Sequence, residues 1–259
     1  MSGIHVEKYF KDEDSSWLVF LHGFGGNSNM WVKQMKFLKD KYNLLLLDLP
    51  GHGQSDFGLA GRKITRFEEI ADIIVNVLNE NNIKKATFIC VSLGCLVFGG
   101  IILKYPEIVD GAILCGAITG INTVYRGILN ALYKIRGLFP YMTILTFFAY
   151  LLMPLKEHSK SRKFFIKSGE SLGREEFLAW VTLILKDINI LKKLKTVKNK
   201  ILFVTGDEDF FFIKGVKKKC EKINGLELKI LEHCGHVCNI QKWREFNSIT
   251  LNYLGNKLN

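Results

Sequence analysis

The chain has 259 residues, 48% hydrophobic and 24% charged, with four prolines; this composition excludes a disordered chain, which lacks the apolar surface that offsets the entropy cost of ordering. The formal net charge is +11, and lysines recur in the stretches 192–200 and 214–222, neither of which carries a nucleic-acid-binding motif. We therefore expect a folded protein with a solvated basic surface and no nucleic-acid partner, while weak attraction to anionic membrane surfaces stays open.

The N-terminal stretch 1–16 is polar and lacks the charged start, apolar centre and cleavage site of a signal peptide. The six cysteines fall mostly inside predicted strands or beside motifs, which fits reduced thiols. We therefore expect a cytoplasmic protein. Cys234 and Cys238 flank His236, but no second ligand cluster of suitable spacing accompanies them, so neither a metal nor another cofactor is predicted.

Short runs rich in Val, Ile, Leu and Phe alternate with longer stretches of helical period, a pattern typical of parallel strands joined by crossover helices. The continuous hydrophobicity of these runs indicates that helices cover both faces of the sheet. The predicted buried strands are 17–21, 43–49, 86–91, 111–116, 200–206 and 226–231, and an edge strand is predicted near 5–10.

Two covering helices are predicted between these strands. The first spans 66–80, with acidic residues in its first turn, where the helix dipole favours them. Its predicted apolar stripe consists of Phe67, Ile70, Ile73, Ile74, Val77 and Leu78. The second begins after Leu93 and ends near Pro106, which discourages continuation of a helix.

The strand pattern stops between about 117 and 195, where several helical segments follow one another. The most apolar stretch, 138–155, contains Pro140 and Pro154, which limit any uninterrupted helix to fewer than the roughly 20 residues that span a membrane. A helix that lines an apolar pocket is therefore favoured over a transmembrane or interfacial segment. We divide the chain into a core at 1–116 and 196–259 and a helical lid at 117–195.

The stretch "CVSLG" (90–94) lies between a predicted strand and a predicted helix. A sharp turn there would expose Ser92 at a helix N-terminus, which favours developing negative charge. Cys90 stands where a small residue is needed and is expected to pack beneath the turn, and Cys95 has no assigned base. Taken alone, this turn is equally compatible with a structural role.

Four other stretches accompany this turn in chain order: "LHGFGGNSNMW" (21–31), "LDLPGHGQSD" (47–56), "VTGDED" (204–209) and "CGHVCNIQKWREFN" (234–247). Together they resemble the successive motifs of the α/β-hydrolase superfamily, from Leu21 to Asn247. The resemblance implies an α/β fold with a mostly parallel central sheet covered by helices on both faces, and a variable lid at 117–195. The motifs are specific for the fold and leave the substrate open.

A serine hydroxyl needs a positioned base, itself oriented by a carboxylate. The resemblance implies that His236 is this base, ahead of His233, and that Asp209 is its acidic partner, with Asp207 as the second choice. The order Ser, Asp, His along the chain is that of α/β hydrolases.

Acyl transfer also needs hydrogen-bond donors for the oxyanion. The resemblance assigns this role to the backbone N–H groups of Phe24, in the "HGFGG" loop, and Leu93. His22 is expected to support the loop, and His52 is given no catalytic role. The family pattern is broken at Trp243 and at Phe210–Phe212, and we expect these residues to repack locally and shape the pocket.

These observations predict a serine hydrolase of carboxylesterase or lipase type, without cofactor, that cleaves a carboxylic ester or related acyl substrate with an apolar portion through an acyl-enzyme on Ser92. Lactone, thioester and carbon–carbon bond hydrolysis and acyl transfer use the same three residues and stay open. A non-enzymatic receptor or signalling protein on the same fold is the alternative of a different class.

Overall fold

A seven-stranded sheet forms the centre of the protein in a computed structural model that describes residues 3–120, 123–195 and 199–255. Residues 121–122 of the predicted lid, and 1–2, 196–198 and 256–259 of the predicted core, lie outside this range. The strands are β1 (Val6–Tyr9), β2 (Trp17–Leu21), β3 (Asn43–Leu47), β4 (Ala86–Val91), β5 (Val109–Cys115), β6 (Lys200–Gly206) and β7 (Leu226–Leu231).

The spatial order of the strands is β1-β3-β2-β4-β5-β6-β7. β1 pairs with β3 in antiparallel fashion, and every other neighbouring pair is parallel. All carboxyl ends of the six parallel strands therefore meet at one edge of the sheet, where the connecting loops can form a site.

Helices provide the crossover connections, and the predicted fold class is confirmed. They are α1 (Val32–Leu38), α2 (Phe67–Glu80), α3 (Leu93–Lys104), α4 (Thr123–Lys134), α5 (Tyr141–Leu152), α6 (Ser159–Gly169), α7 (Arg174–Asp187), α8 (Ile213–Lys222), α9 (Cys238–Gln241) and α10 (Trp243–Gly255). Hydrophobic side chains of the central strands are fully buried, because helices cover both sheet faces.

The strand predictions hold with small shifts in their ends. β3 ends at Leu47, two residues early, and β5 begins at Val109, two residues early. The prediction that 226–231 is buried was wrong, because β7 is the outer strand of the sheet and exposes Glu227, Lys229 and Ile230. Its alternating polar and apolar residues are those of a strand with one solvated face.

The covering helix α2 turns the predicted stripe toward the core, with one difference. Ile73 is only partly buried, whereas Ala71 is fully buried. Ala71 lies on the packed side because α2 approaches α3 closely: a Cβ on Gly100 of α3 would clash with the backbone carbonyl of Phe67. A small residue on each helix permits this close approach.

Over its described residues, the segment between β5 and β6 contains four α-helices, α4 to α7, two short 3-10 helices and no strand. The apolar stretch 138–155 contains the 12-residue helix α5. No helix in the described parts of the chain is both long and apolar enough to cross a membrane. α7 is tied to the loop after β3, since Trp180 Nε1 donates to the Pro50 carbonyl at 2.9 Å and Glu176 accepts from the backbone N–H groups of Leu59 and Ala60.

Candidate active site

Ser92 occupies a strained turn between β4 and α3. Its φ of 51° and ψ of −107° lie in a region that L-residues rarely adopt. The Ser92 N–H donates to the Cys115 carbonyl at 3.0 Å, which holds the turn against the end of β5. Position 94, two residues later, must be glycine, because a Cβ there would clash with the Leu21 carbonyl. The sharp turn presents the Ser92 hydroxyl at the carboxyl edge of the sheet.

Three residues that are distant in sequence form a continuous hydrogen-bonded line. His236 Nδ1 lies 2.9 Å from Asp209 Oδ2, and His236 Nε2 lies 2.9 Å from Ser92 Oγ. A carboxylate only accepts, so Nδ1 carries the imidazole proton and Nε2 accepts from the Ser92 hydroxyl. The side chain that would lose a proton therefore already faces an unprotonated base.

Burial makes the pairing of Asp209 and His236 specific. Both residues are almost fully buried, and Asp209 Oδ1 has no hydrogen-bond partner among the described residues. The turn after β6 orients the carboxylate through the Asp209 N–H, which donates to the Gly206 carbonyl at 3.2 Å. A buried carboxylate that accepts from Nδ1 fixes the tautomer and the orientation of the imidazole.

The two second choices from the sequence lie outside this line. Asp207 Oδ1 accepts from the Cys234 N–H at 3.2 Å. Burial acts to raise the Asp207 pKa, but hydrogen bonds from the backbone of Cys234 and His233 outweigh it and leave the pKa lowered. The His233 side chain is 83% exposed, and its Nδ1 lies 4.0 Å from Glu208 Oε1. Asp207 therefore supports the backbone of the loop that carries His236.

Close backbone packing fixes the loop that carries His236. A Cβ on Gly116, just after β5, would clash with the His236 carbonyl, and one on Gly206, at the end of β6, would clash with the Cys234 carbonyl. Gln241 Oε1 accepts from the Gly235 N–H at 2.9 Å. The loop is thus seated on the ends of β5 and β6, which sets the position of the imidazole.

The two predicted oxyanion donors lie beside the serine. A Cβ on Gly23 would be 3.5 Å from Ser92 Cβ, so the loop after β2 runs against the turn. Phe24, Leu93 and Ser92 line the same cavity. Neither the Phe24 nor the Leu93 N–H has an acceptor within the described part of the chain. Both residues thus lie near Ser92, and their role as oxyanion donors stays a prediction.

His22 fixes the loop that presents the Phe24 amide. Its Nδ1 donates to the Gly23 carbonyl at 2.8 Å, and its Nε2 accepts from the Leu49 N–H at 2.8 Å. Burial lowers the pKa of His22 to about 4, so the imidazole is neutral at pH 7. The neighbouring His52 is also buried, and its Nδ1 lies 3.0 Å from the Pro50 carbonyl. Both histidines join the loops after β2 and β3.

An apolar cavity opens from Ser92 and His236. Its walls come mainly from the helices between β5 and β6, with Leu129, Ile144, Phe148, Phe165, Phe177 and Val181 among the lining side chains. Phe211 and Phe212 also line it, and the Phe212 ring centroid lies 5.2 Å from that of His236. Phe210 is 50% exposed and lies outside the cavity lining. The expected shaping of the pocket therefore involves two of the three phenylalanines.

His158 makes a contact with Glu208 that the sequence does not predict. His158 lies just before α6 and is buried; its Nε2 donates to Glu208 Oε2 at 2.9 Å. Glu208 directly precedes Asp209, so this contact joins the inserted helices to the turn that holds the acid. No motif surrounds His158, and the two residues are 50 positions apart, so the sequence carries no signal for the pair.

The cysteines near the serine are unreactive packing groups. Cys90 and Cys95 are fully buried, and burial raises the pKa of both thiols well above the usual value. Cys95 Sγ lies 3.5 Å from the Cys115 carbonyl. A protonated, buried thiol is a poor nucleophile, and of these three residues only Ser92 lines the cavity.

Comparisons with known proteins agree with this fold. Residues 16–143, about half of the chain, match a family model described as alpha/beta hydrolase fold. The chain is 26% identical to the dihydrolipoyllysine-residue acetyltransferase component of the acetoin cleaving system of Cupriavidus necator, over 98% of this chain and 68% of that protein. It is 24% identical to 3-oxoadipate enol-lactonase 2 of Acinetobacter baylyi, over 92% of this chain and 88% of that protein.

A solved structure shows the same fold at lower identity. The esterase from Exiguobacterium antarcticum superposes with a TM-score of 0.82 at 19% identity, covering 97% of this chain and 95% of that one. The family match agrees with the order of the strands in the sheet. It also agrees with the turn from β4 through Ser92 into α3 at the carboxyl edge. The chain belongs to the α/β-hydrolase superfamily.

Proposed function

We propose that the protein is a serine hydrolase of carboxylesterase or lipase type, which cleaves a carboxylic ester or related acyl substrate with an apolar portion. The observation that carries the proposal is the line of hydrogen bonds from Asp209 through His236 to Ser92, each 2.9 Å long, at the floor of an apolar cavity. The enol-lactonase of A. baylyi and the esterase of E. antarcticum are named for hydrolysis of related bonds, which supports the assignment.

Acylation follows from the hydrogen-bond directions. Ser92 Oγ bonds to the substrate carbonyl carbon as its proton passes to His236 Nε2, and Asp209 stabilises the imidazolium. The carbonyl oxygen becomes an oxyanion that accepts from the N–H groups of Phe24 and Leu93. The bond to the leaving oxygen then breaks, and His236 gives its proton to the departing alcohol.

Deacylation repeats these steps with water as the nucleophile. His236 Nε2 takes a proton from water while the water oxygen bonds to the acyl carbon. The tetrahedral intermediate collapses by breaking the bond to Ser92 Oγ, which recovers a proton from His236. One ester and one water give one acid and one alcohol, and the enzyme is regenerated.

The helices of the 117–195 segment act as the lid over this site in our proposal. Two of their phenylalanines contact Phe24 in the loop after β2. The ring centroid of Phe24 lies 6.4 Å from that of Phe165 and 5.7 Å from that of Phe177. Hydrophobic walls of this kind favour an apolar acyl or alcohol portion and exclude water from the developing charges.

Covalent labelling tests the proposal. A fluorophosphonate should label the wild type at Ser92, and Ser92→Ala should lose both the label and the hydrolysis of p-nitrophenyl esters. Cys90→Ala is the matched control and should retain both. The p-nitrophenyl esters should then be compared over a series of acyl lengths. Tight ligand binding without turnover would overturn the hydrolase in favour of the receptor, and a flat length profile would contradict an apolar acyl pocket.

A further inference from the structure

One charged side chain enters the lining of the otherwise apolar cavity. Arg136 follows α4 and is the only permanently charged residue among the described residues that line the cavity. Its guanidinium carbon lies 3.9 Å from the Tyr133 ring centroid, and its Nη1 donates to the Tyr133 carbonyl at 2.6 Å. No carboxylate of the described residues forms an ion pair with it. The remaining guanidinium donors are therefore available to a ligand.

A surface groove continues the cavity beyond Arg136. The cavity and the groove share Tyr133, Arg136 and Leu178 in their linings. The other charged residues that line the groove are Arg62, Lys63 and Lys186, and no described acidic residue lines it. Within the described chain none of these four cations forms a salt bridge. On the side lined by Arg136, the cavity thus opens onto a surface of one sign of charge.

Unpaired cations beside an apolar wall attract an anion more strongly than they would in open solvent. Low-dielectric walls strengthen the field of the cations, and a cleft lined by one sign of charge concentrates ions of the opposite sign. A guanidinium also matches the geometry of a carboxylate or a phosphate through paired N–H donors. Arg136 is well placed for this because the Tyr133 ring and carbonyl hold its side chain in one orientation.

We propose that the substrate carries an anionic group, a carboxylate or a phosphate, at the end remote from the scissile carbonyl, and that Arg136 binds this group at the junction of cavity and groove. This inference rests on the proposed function, because it names the class of substrate for the same site. The substrate is then an apolar chain with the ester at Ser92 and a negative charge at its other end. Arg62, Lys63 and Lys186 add to the attraction without direct contact with the catalytic residues.

The test compares matched anionic and neutral esters in two arms. In the first arm, p-nitrophenyl monoesters of straight-chain dicarboxylic acids of increasing length are compared with the same esters whose remote carboxyl is methylated. In the second arm the anion is on the alcohol portion: butyryl esters of ω-hydroxy acids or of ω-hydroxyalkyl phosphates are compared with their methylated forms. The arms distinguish the position of the anion, and the two acids distinguish carboxylate from phosphate.

We expect an optimum chain length in one arm at which the anionic ester has a kcat/KM about tenfold or more above that of its neutral partner, the size of a hydrogen bond to a charged group. The preference should shrink as ionic strength rises from about 0.05 to 0.5 M, because salt screens the groove. Arg136→Gln should abolish the preference, so that the anionic and neutral esters have equal kcat/KM. Arg136→Lys keeps the charge and should retain part of the preference.

The matched control is the double variant Lys217→Gln and Lys218→Gln, which removes two exposed cations of α8 that lie outside the groove lining and should leave the preference intact. Equal kcat/KM for anionic and neutral esters at every length in both arms would overturn the inference. So would an Arg136→Gln variant that lowers both rates equally, since that indicates a structural role. Absence of turnover on every ester, short neutral ones included, would overturn the proposed function itself.

Discussion

The sheet loops and the inserted helices contribute to the site in different ways. The loops after β2, β4, β6 and β7 place polar atoms at hydrogen-bonding distances and are held by close backbone contacts at Gly94, Gly116 and Gly206. The segment from α4 to α7 contributes mainly apolar side chains, together with Tyr133 and Arg136. Under the proposed function, the loops set the positions of the reacting groups, and the inserted segment sets the shape and charge of the cavity wall.

Loss of the imidazole of His236 from the loop after β7 should cause the largest fall in activity. His236→Ala should lower kcat for a p-nitrophenyl ester by about a millionfold, because no other group takes the Ser92 proton. Steady-state kinetics with active-site titration measures this loss. His233→Ala, three residues earlier and exposed, is the control and should retain activity. Comparable losses in both variants would show that the loop and not the imidazole is at fault.

Substitution of Asp209, the proposed acid, should cause the next largest fall in kcat. Asp209→Asn should lower kcat by about ten-thousandfold, since an amide cannot stabilise the imidazolium or fix the same tautomer. Asp207→Asn removes a carboxylate from the same turn and should cost far less. Kinetics of the two variants at pH 7.5 measures the contrast. If Asp207→Asn were the more damaging change, Asp209 would not be the acid.

Stability should depend on pH through the loops of the core. The pKa of His22 is about 4 in the folded state, lowered by burial from 6.5, so the unfolded chain binds the proton more tightly. The free energy of unfolding is therefore highest above pH 6.5 and falls by about 3 kcal/mol from this group as the pH drops to 4. His52, whose pKa burial lowers to about 3, adds to the same trend.

Urea unfolding at pH 7.5, 6 and 5 measures this dependence. His22→Gln should be less stable at pH 7.5, through the loss of its two hydrogen bonds, but should lose less stability on acidification than the wild type. His52→Gln provides a second variant in case the first folds poorly. If the free energy of unfolding of both buried-histidine variants fell with pH as steeply as that of the wild type, the two histidines would not cause the pH dependence.

The inserted helices should show the smallest and most selective effect. Phe148 of α5 lines the cavity, so Phe148→Ala should lower kcat/KM for long-chain p-nitrophenyl esters by about tenfold and leave acetate esters nearly unchanged. Its neighbour Phe147 is 53% exposed, and Phe147→Ala is the matched control. Equal losses on long and short esters would show that α5 affects the catalytic loops and not the wall alone.

Regular patterns in the sequence were enough for most of the core. Continuous apolar runs placed the central strands, and the helical period placed α2 and α3, because each signal is local. The interior position predicted for β7 is wrong, because the apolar residues of a strand do not show whether it lies at the centre or the edge of the sheet. The choice of Asp209 over Asp207 came from family resemblance, since both follow the same strand and only the turn geometry separates them.

The inserted helices were predictable only as helices. Which of their side chains face the cavity depends on how α4 to α7 pack over the sheet, and this packing is set by contacts distant in sequence. The pair of His158 and Glu208 and the position of Arg136 at the cavity wall are of this kind. The cytoplasmic location and the weak attraction to anionic membranes stay predictions.

The end of β5 serves as a common reference for both partners of the proton transfer. The Cys115 carbonyl accepts from the Ser92 N–H, and the next residue, Gly116, lies directly beneath the His236 carbonyl. Ser92 and His236 are 144 positions apart in the chain, yet each contacts one of two adjacent residues, Cys115 and Gly116. The sheet therefore sets the separation of Ser92 and His236, whereas the inserted helices reach the neighbouring turn of Asp209 through the contact of His158 with Glu208.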